Sequence, residues 1–309
     1  MKFHIDNEDL KTYIKLSYYA LSVIEGDMSA LANGNAKSSK SAFLNDLMLN
    51  YGFEQEYVKL RTLKEQAKLY EKEASDHFNI RIKKETRVKL ETINSEIVEL
   101  YENSIGSYVK TIAEVYSRLP YYEREQVWYR ERVYEIEESI GRFALKISTT
   151  RINQEDKPHI VIPYKIEHDK WTGYNYLIGI EQDTGNTCCF RVAFINCIKR
   201  LQSEKITKDN IKKIETEKKK RGLQFLSEPT EKIKASLTAN GQKMYAQILY
   251  MRPQYREKDN CIYCFDCTPR QFEYYFLKFG KDVEVLEPLA LREKFIGFYK
   301  EAAKIYSTE

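Results

Sequence analysis

The chain is poor in the features that mark an exported, membrane-embedded or loosely linked protein. It contains no apolar run of about 18 residues, so no transmembrane helix is expected. The stretch from Met1 to Asp9 lacks the apolar centre of a secretory signal, which points to a cytoplasmic protein. With no export signal, the six cysteines read as reduced thiols rather than a disulfide framework. Only 12 Gly and 7 Pro in 309 residues argue against long flexible tracts. A net charge of +4 sets up no strong global field, so a nucleic-acid footprint would have to come from local clusters of base.

Catalytic signatures are missing as well. No phosphate loop, dinucleotide fingerprint, zinc-protease helix or serine elbow is present. Carboxylate pairs such as Glu137-Glu138 sit among basic neighbours on helical stretches and read as solvated faces. Cys261, Cys264 and Cys267 are spaced like an iron–sulfur fragment but have no suitable fourth Cys nearby. The four histidines, His4, His77, His159 and His168, are remote from them in sequence. On a strand that spacing also sends Cys261 and Cys264 to opposite faces, so core thiols are expected instead of a metal site. The expectation is a non-enzyme with no cofactor and no metal.

What remains is a chain of 42% apolar content, with 24 Tyr and 14 Phe, long enough for two or three domains. Residues 11–16 alternate: Lys11, Tyr13 and Lys15 point one way, and Thr12, Ile14 and Leu16 the other. A helix follows through Ala20, Leu21, Ile24, Met28 and Leu31, then a break at Asn33-Gly34-Asn35. Ser39 caps a second helix carrying Phe43, Leu44, Leu47 and Met48. The same order recurs. Phe78, Ile80 and Ile82 alternate with Asn79, Arg81 and Lys83; a helix runs through Val88, Leu90, Ile93, Ile97 and Leu100. After Asn103-Ser104, another helix carries Tyr108, Val109, Ile112 and Tyr116. Ile14 falls on Ile80 at an offset of 66, and Phe43 on Tyr108 at 65, so two diverged copies of strand-helix-helix are expected. Residues 54–76 form a charged, helix-prone connector.

Strand-helix-helix resembles the ribbon-helix-helix fold, in which two strands pair antiparallel because one alone leaves half its backbone groups unpaired. Pairing within one chain and swapping between two chains satisfy the same bonds. The resemblance implies a ribbon that enters duplex DNA with Lys11, Tyr13, Lys15, Arg81 and Lys83 on its exposed face, and a phosphate held at the helix N-terminus near Ser39. Lysines on a solvated ribbon are the plainer account.

From Tyr121 to about Ile140 an amphipathic segment with Trp128, Val133, Ile136 and Ile140 on its apolar stripe reads as a connecting helix. Five short strands follow: Phe143 to Thr149, His159 to Ile166, Tyr174 to Ile180, Cys189 to Phe194 and Ile195 to Leu201. The turn Asp183-Thr184-Gly185-Asn186 joins the third to the fourth as a hairpin. Residues 199–221 hold ten bases and four acids, a local +6, read as either a solvated helix or a phosphate-steering surface.

Ile162-Pro163-Tyr164-Lys165-Ile166, Asn175-Tyr176-Leu177 and Phe190-Arg191-Val192 resemble three strands of the WYL domain, a small Sm-like β-barrel of bacterial regulatory proteins. Asn175 stands where that family usually has Trp, and Phe194 where many members carry a second Arg. The run from Phe279 through Pro288 resembles the extension that follows such barrels. Together these imply an α+β multidomain protein. Its parts are a tandem, pseudo-dimeric ribbon-helix-helix over 1–120, a connecting helix over 121–141 and an Sm-like WYL β-barrel over 142–202. A basic linker over 203–230 and an α/β C-terminal extension over 231–309, expected to dimerise, complete it. The order resembles the WYL accessory proteins found beside the RNA-guided RNase effector of type VI-D CRISPR systems. That likeness implies binding of single-stranded RNA, enhancement of a CRISPR RNase effector, and a nucleic-acid site at Tyr164, Lys165, Asn175, Tyr176, Arg191, Lys199 and Arg200. Cations tracking a backbone beside stacking rings suit a single strand. A duplex-DNA-binding transcription regulator with a ligand-sensing barrel, and a pure homodimerisation scaffold, stay open beside it.

Overall fold

The computed structural model describes residues 10–31, 39–52, 57–70, 75–91, 105–149 and 158–307. The loop at Asn33-Gly34-Asn35, the helical positions Ile93, Ile97 and Leu100, and the break at Asn103-Ser104 lie outside them. Among the described residues the protein is a mixed α+β chain with three sheets, of two, four and five strands. It divides into two units: one comprises residues 1–134 with 170–175, the other 135–169 with 176–309.

The first unit is organised by a ribbon. Strand β1 (Leu10–Ser17) pairs antiparallel with β2 (Ser75–Ile82) within the same chain, with Lys11 opposite Arg81, Tyr13 opposite Asn79 and Lys15 opposite His77. The pairing settles which of the two strand arrangements holds. It is also the register that a repeat offset of 66 requires, because Tyr13 and Asn79 are both equivalent and paired, so a pseudo-twofold axis passes between them. Alternation puts Ile14, Leu16, Ile80 and Ile82 in the core and Lys11, Tyr13, Lys15, Asn79 and Arg81 in solvent.

Helices α1 (Tyr18–Leu31) and α2 (Lys40–Asn50) follow β1; α3 (Tyr57–Lys68) connects the copies; α4 (Lys84–Glu91) and α5 (Ile105–Arg118) belong to the second copy. The apolar stripes expected for α1, α2 and α5 form one core with the ribbon. Ser39 caps α2 by accepting from the Ala42 amide at 3.2 Å. Each copy's last helix satisfies the other copy's strand end. Glu114 of α5 accepts from the Ser17 amide at 2.6 Å and its hydroxyl at 2.8 Å. Asn45 of α2 accepts from the Lys83 amide at 2.8 Å and donates to the Arg81 carbonyl at 2.8 Å.

The expected connecting helix over 121–141 is two helices, α6 (Tyr121–Trp128) and α7 (Arg130–Glu137). It is also no free strut. Trp128 lies 4.3 Å from the Phe43 ring and donates to the Tyr116 hydroxyl at 2.7 Å. Arg124 forks onto buried Asp27 at 2.7 and 3.2 Å. These polar partners could not be read from the apolar stripe alone.

In the second unit, β3 (Phe143–Thr149), β4 (His159–His168), β5 (Asn175–Glu181), β6 (Thr187–Arg191) and β7 (Ile195–Ser203) form one sheet in the order β6-β5-β4-β3-β7. All five expected strands are present. The fourth stops at Arg191, and Val192–Phe194 make a single 3₁₀ turn. Among the described residues β6 and β7 are end strands with no ladder between them, so the sheet is not a closed barrel. Gly179 fits where a Cβ would lie 2.4 Å from the Ile162 carbonyl oxygen, so the close approach of β5 to β4 requires glycine.

The stretch expected as a basic linker contains a packed helix, α8 (Lys208–Arg221). Ile214 anchors it in the core, and Glu217 accepts hydrogen bonds from the Thr187 hydroxyl and from Arg221. The remainder builds a sheet of β8 (Glu231–Leu237), β9 (Tyr255–Asp259), β10 (Ile262–Cys267) and β11 (Val283–Glu287) in the order β11-β8-β10-β9. It carries helices α9 (Ala239–Gln247), α10 (Pro269–Phe276) and α11 (Leu289–Tyr306) around an aromatic core. Thr268 caps α10 with Pro269 at its first position. Of the three cysteines expected as core thiols, Cys267 is buried, but Cys261 is exposed and Cys264 only half-buried, which corrects that expectation at two positions.

Asn45→Ala strips the partners from the Lys83 amide and the Arg81 carbonyl. It should lower unfolding free energy by about 2 kcal/mol in urea titrations, whereas Lys11→Ala on the solvent face should stay within about 0.5 kcal/mol.

Candidate nucleic-acid interfaces

The residues expected to bind nucleic acid fall into different environments, and their surroundings sort them. Asn175 is buried at 1% exposure. Its Nδ2 donates to Glu125 and to the Tyr122 carbonyl, both at 2.8 Å, and its Oδ1 accepts from Gln126 at 3.0 Å. Its amide also donates to Glu125 at 2.7 Å. This side chain holds the first unit together and presents no edge to a ligand.

Lys165 on β4 is also committed. Its Nζ lies 2.6 Å from Glu167 and 2.9 Å from Glu215, and Lys218 reaches the same two carboxylates at 2.9 and 2.8 Å. Two lysines and two glutamates leave no net charge. Hydrogen bonding from Lys218, and then from Lys165, pulls Glu215 down to about 2. Burial alone would raise Glu167, but the two lysines outweigh it and the carboxyl is lowered. Burial would likewise lower Lys165, and the two glutamates outweigh it, so the ammonium is held charged. Tyr164 is half-buried, with the Lys165 ammonium 5.0 Å from its ring centre.

Tyr176 is buried and sits directly opposite Arg191 across β5 and β6. The Arg191 guanidinium lies 4.8 Å over the ring of Phe194, and that ring is 45% exposed. Phe194, absent from the expected site, thus offers an open π-face beside a cation. Lys199 and Arg200 are exposed on the end strand β7. Lys199 stands opposite Lys146 of β3, which is also exposed. No ion pair joins Lys146, Lys199 or Arg200 to a carboxylate among the described residues. Like charges directly opposed on a ladder are unfavourable until an anion lies between them. Lys146 was missed because its strand reads as a buried one from Ala144, Leu145 and Ile147.

The ribbon residues do share one face. Lys11, Tyr13, Lys15 and Arg81 are exposed, and Tyr13 stacks on His77 with centroids 5.1 Å apart. Lys83 lies just past the strand end and pairs loosely with Glu85 at 3.7 Å.

The Lys165–Glu167–Glu215–Lys218 network gives a pH dependence. Glu215 is depressed from its ordinary 4.5 to about 2, so its contribution is full above about 4.5 and fades as pH falls toward 2. Urea midpoints should drop over that window, and Glu215→Gln should flatten the drop; an unchanged acid limb would contradict the network.

No family model matches the sequence, and no curated protein matches it. Among solved structures, one described as the crystal structure of a CRISPR Cas-related protein superposes with a TM-score of 0.77 at 21% identity. The match covers 99% of this chain and 96% of that one. A second, the proteasome accessory factor B/C (PafBC) of Arthrobacter aurescens, reaches a TM-score of only 0.25 at 15% identity, over 59% of this chain and 28% of that one, and carries no weight. The first shows that the whole chain shares the fold of the CRISPR Cas-related protein.

Proposed function

We propose that this is a non-enzymatic, single-stranded-RNA-binding accessory protein that raises the activity of an RNA-guided CRISPR RNase effector. One observation carries the reading: Lys146 and Lys199 are exposed directly opposite each other on one face of the sheet, without carboxylate partners among the described residues, while Lys165 and Lys218 are paired with Glu167 and Glu215. A surface that keeps some cations neutral and leaves others open is suited to a polyanion. Arg191 stacked over the exposed Phe194 ring adds a place for a base, where stacking is worth about 1–3 kcal/mol. The fold shared end to end with a CRISPR Cas-related protein supports the setting. In this reading the five-stranded sheet is the WYL unit, and the first unit is a ribbon-helix-helix pair fused in one chain.

The ribbon supports a second reading, a duplex-DNA-binding regulator. Lys11 opposite Arg81 and the Tyr13–His77 stack form a continuous cationic and aromatic face around a pseudo-twofold axis. Such symmetry fits the two-stranded ribbons that read a major groove.

Labelled single-stranded RNA and duplex DNA, titrated at several salt concentrations, separate the two. Replacing Lys146 and Lys199 together by Ala should weaken RNA binding and reduce the salt slope by about 1.4, about 0.7 for each lost phosphate contact. RNA binding untouched by that change would refute the primary reading. Duplex binding abolished by Lys15→Ala with Arg81→Ala would establish the second.

A further inference from the structure

The C-terminal sheet carries a cleft that plays no part in either reading. It has a volume of about 880 Å³, within the range of small-ligand sites, and lies where α9 meets β9 and β10. Lys243, Arg252 and Lys258 line it together with Gln242, Tyr255 and Tyr263, and among the described residues no acidic side chain does.

Two backbone irregularities assemble it. Tyr255 and Lys258 are three apart and would point to opposite faces of a regular strand. But Tyr255 pairs with Phe265 while Glu257 pairs with Cys264, so Arg256 is an extra residue. That bulge brings Tyr255 and Lys258 to one face, opposite Phe265 and Tyr263. Met251 adopts φ 55°, strained for a side chain with a Cβ, at the turn that brings Arg252 back over the Tyr245 ring at 5.3 Å.

The cations are held by neutral groups. Arg252 donates to the Tyr245 carbonyl at 3.3 Å, and its buried Nε has no hydrogen-bond partner among the described residues. Lys258 donates to Gln242 at 3.3 Å and sits 5.1 Å from the Tyr263 ring. Burial raises the Tyr245 phenol to about 12, so the wall stays uncharged at neutral pH. Tyr255 lines the cleft at 45% exposure, held beside Tyr263 with ring centroids 5.4 Å apart in a T-shaped pair.

A bare phosphate would need the cations but not the rings, and a sugar the rings but not the cations. Both together, with amide groups able to read a ring edge, suit a planar heterocycle tethered to an anion. We infer that this cleft binds a nucleoside phosphate, with its base against Tyr255 and its phosphate toward Arg252 and Lys258. The inference stands apart from the surface around Lys199. The ligand could be a free mononucleotide or one unit of a bound strand.

Calorimetric titration of the full chain with AMP, UMP, adenosine and inorganic phosphate tests it, beside a short single-stranded oligoribonucleotide. If mononucleotides are the ligand, AMP or UMP binds, and each of Tyr255→Ala and Lys258→Gln weakens it by about tenfold or more. Adenosine and phosphate alone then bind more weakly than AMP. Lys199→Ala with Arg200→Ala should leave that titration unchanged, which separates the cleft from the RNA surface. If mononucleotides fail but the two cleft variants lose affinity for the oligoribonucleotide, the site takes a nucleotide of a strand. Two results overturn the inference: no mononucleotide binding with strand affinity intact in both folded variants, or phosphate binding as tightly as AMP.

Discussion

A strand laid on a core without a neighbour leaves its amides and carbonyls with no ladder partner on either edge, and that constraint shapes the first unit. β1 finds its partner in β2, some sixty residues later, with Tyr13 and Asn79 at the centre of the ladder. Once that register is set, Ile14, Leu16, Ile80 and Ile82 can face only inward. The strand ends still leave donors that the ladder does not satisfy. The second helix of each copy meets them across the pseudo-twofold, Glu114 at Ser17 and Asn45 at Lys83, with different side chains in the two roles. Glu114 and Asn45 stand at different levels of their helices, so the two strand ends are satisfied by side chains of different kind and position.

In the second unit charge is divided between two tasks. α8 carries much of the chain's local excess of base, yet the helix is docked by ion pairs. Lys218 reaches Glu167 of β4, and Glu215 reaches Lys165 of the same strand. A charge partly withdrawn from water is tolerated where an opposite charge is close. Lys146 on β3 and Lys199 on β7 are exposed without a carboxylate partner among the described residues, and so are Lys208, Lys212, Lys219 and Lys220 on the outer side of α8.

Much of the architecture was legible because its signals are local. Alternation marked β1 and β2, and helical stripes marked α1, α2 and α5. The five strands of the central sheet were visible from β-branched and aromatic runs. What escaped depends on partners distant in sequence. Lys165 looked like a ligand residue because Glu215, fifty positions on, could not be seen beside it. Asn175 looked like an exposed signature position, and Glu125 buries it. β9 was invisible because Tyr255-Arg256-Glu257-Lys258-Asp259 is exposed throughout and has no apolar face to betray a strand. The cleft beside it needed a one-residue bulge that only the register reveals.

The opposed Lys146 and Lys199 show how small a term can decide a surface's use. Two unit charges about 5 Å apart in water repel by about 0.8 kcal/mol, and splayed ammonium groups and salt reduce that further. A fold stable by several kcal/mol tolerates such a pair easily. A phosphate placed between the two ammonium groups changes the sign of the interaction for both. The repulsion that costs the free protein little thus becomes attraction on binding, and the difference between the states exceeds the cost of either alone. The network at Lys165 has no such difference to offer, since its lysines already have their carboxylates. Affinity for a polyanion should therefore follow the lysines that the fold leaves opposed, and stability the lysines that it pairs.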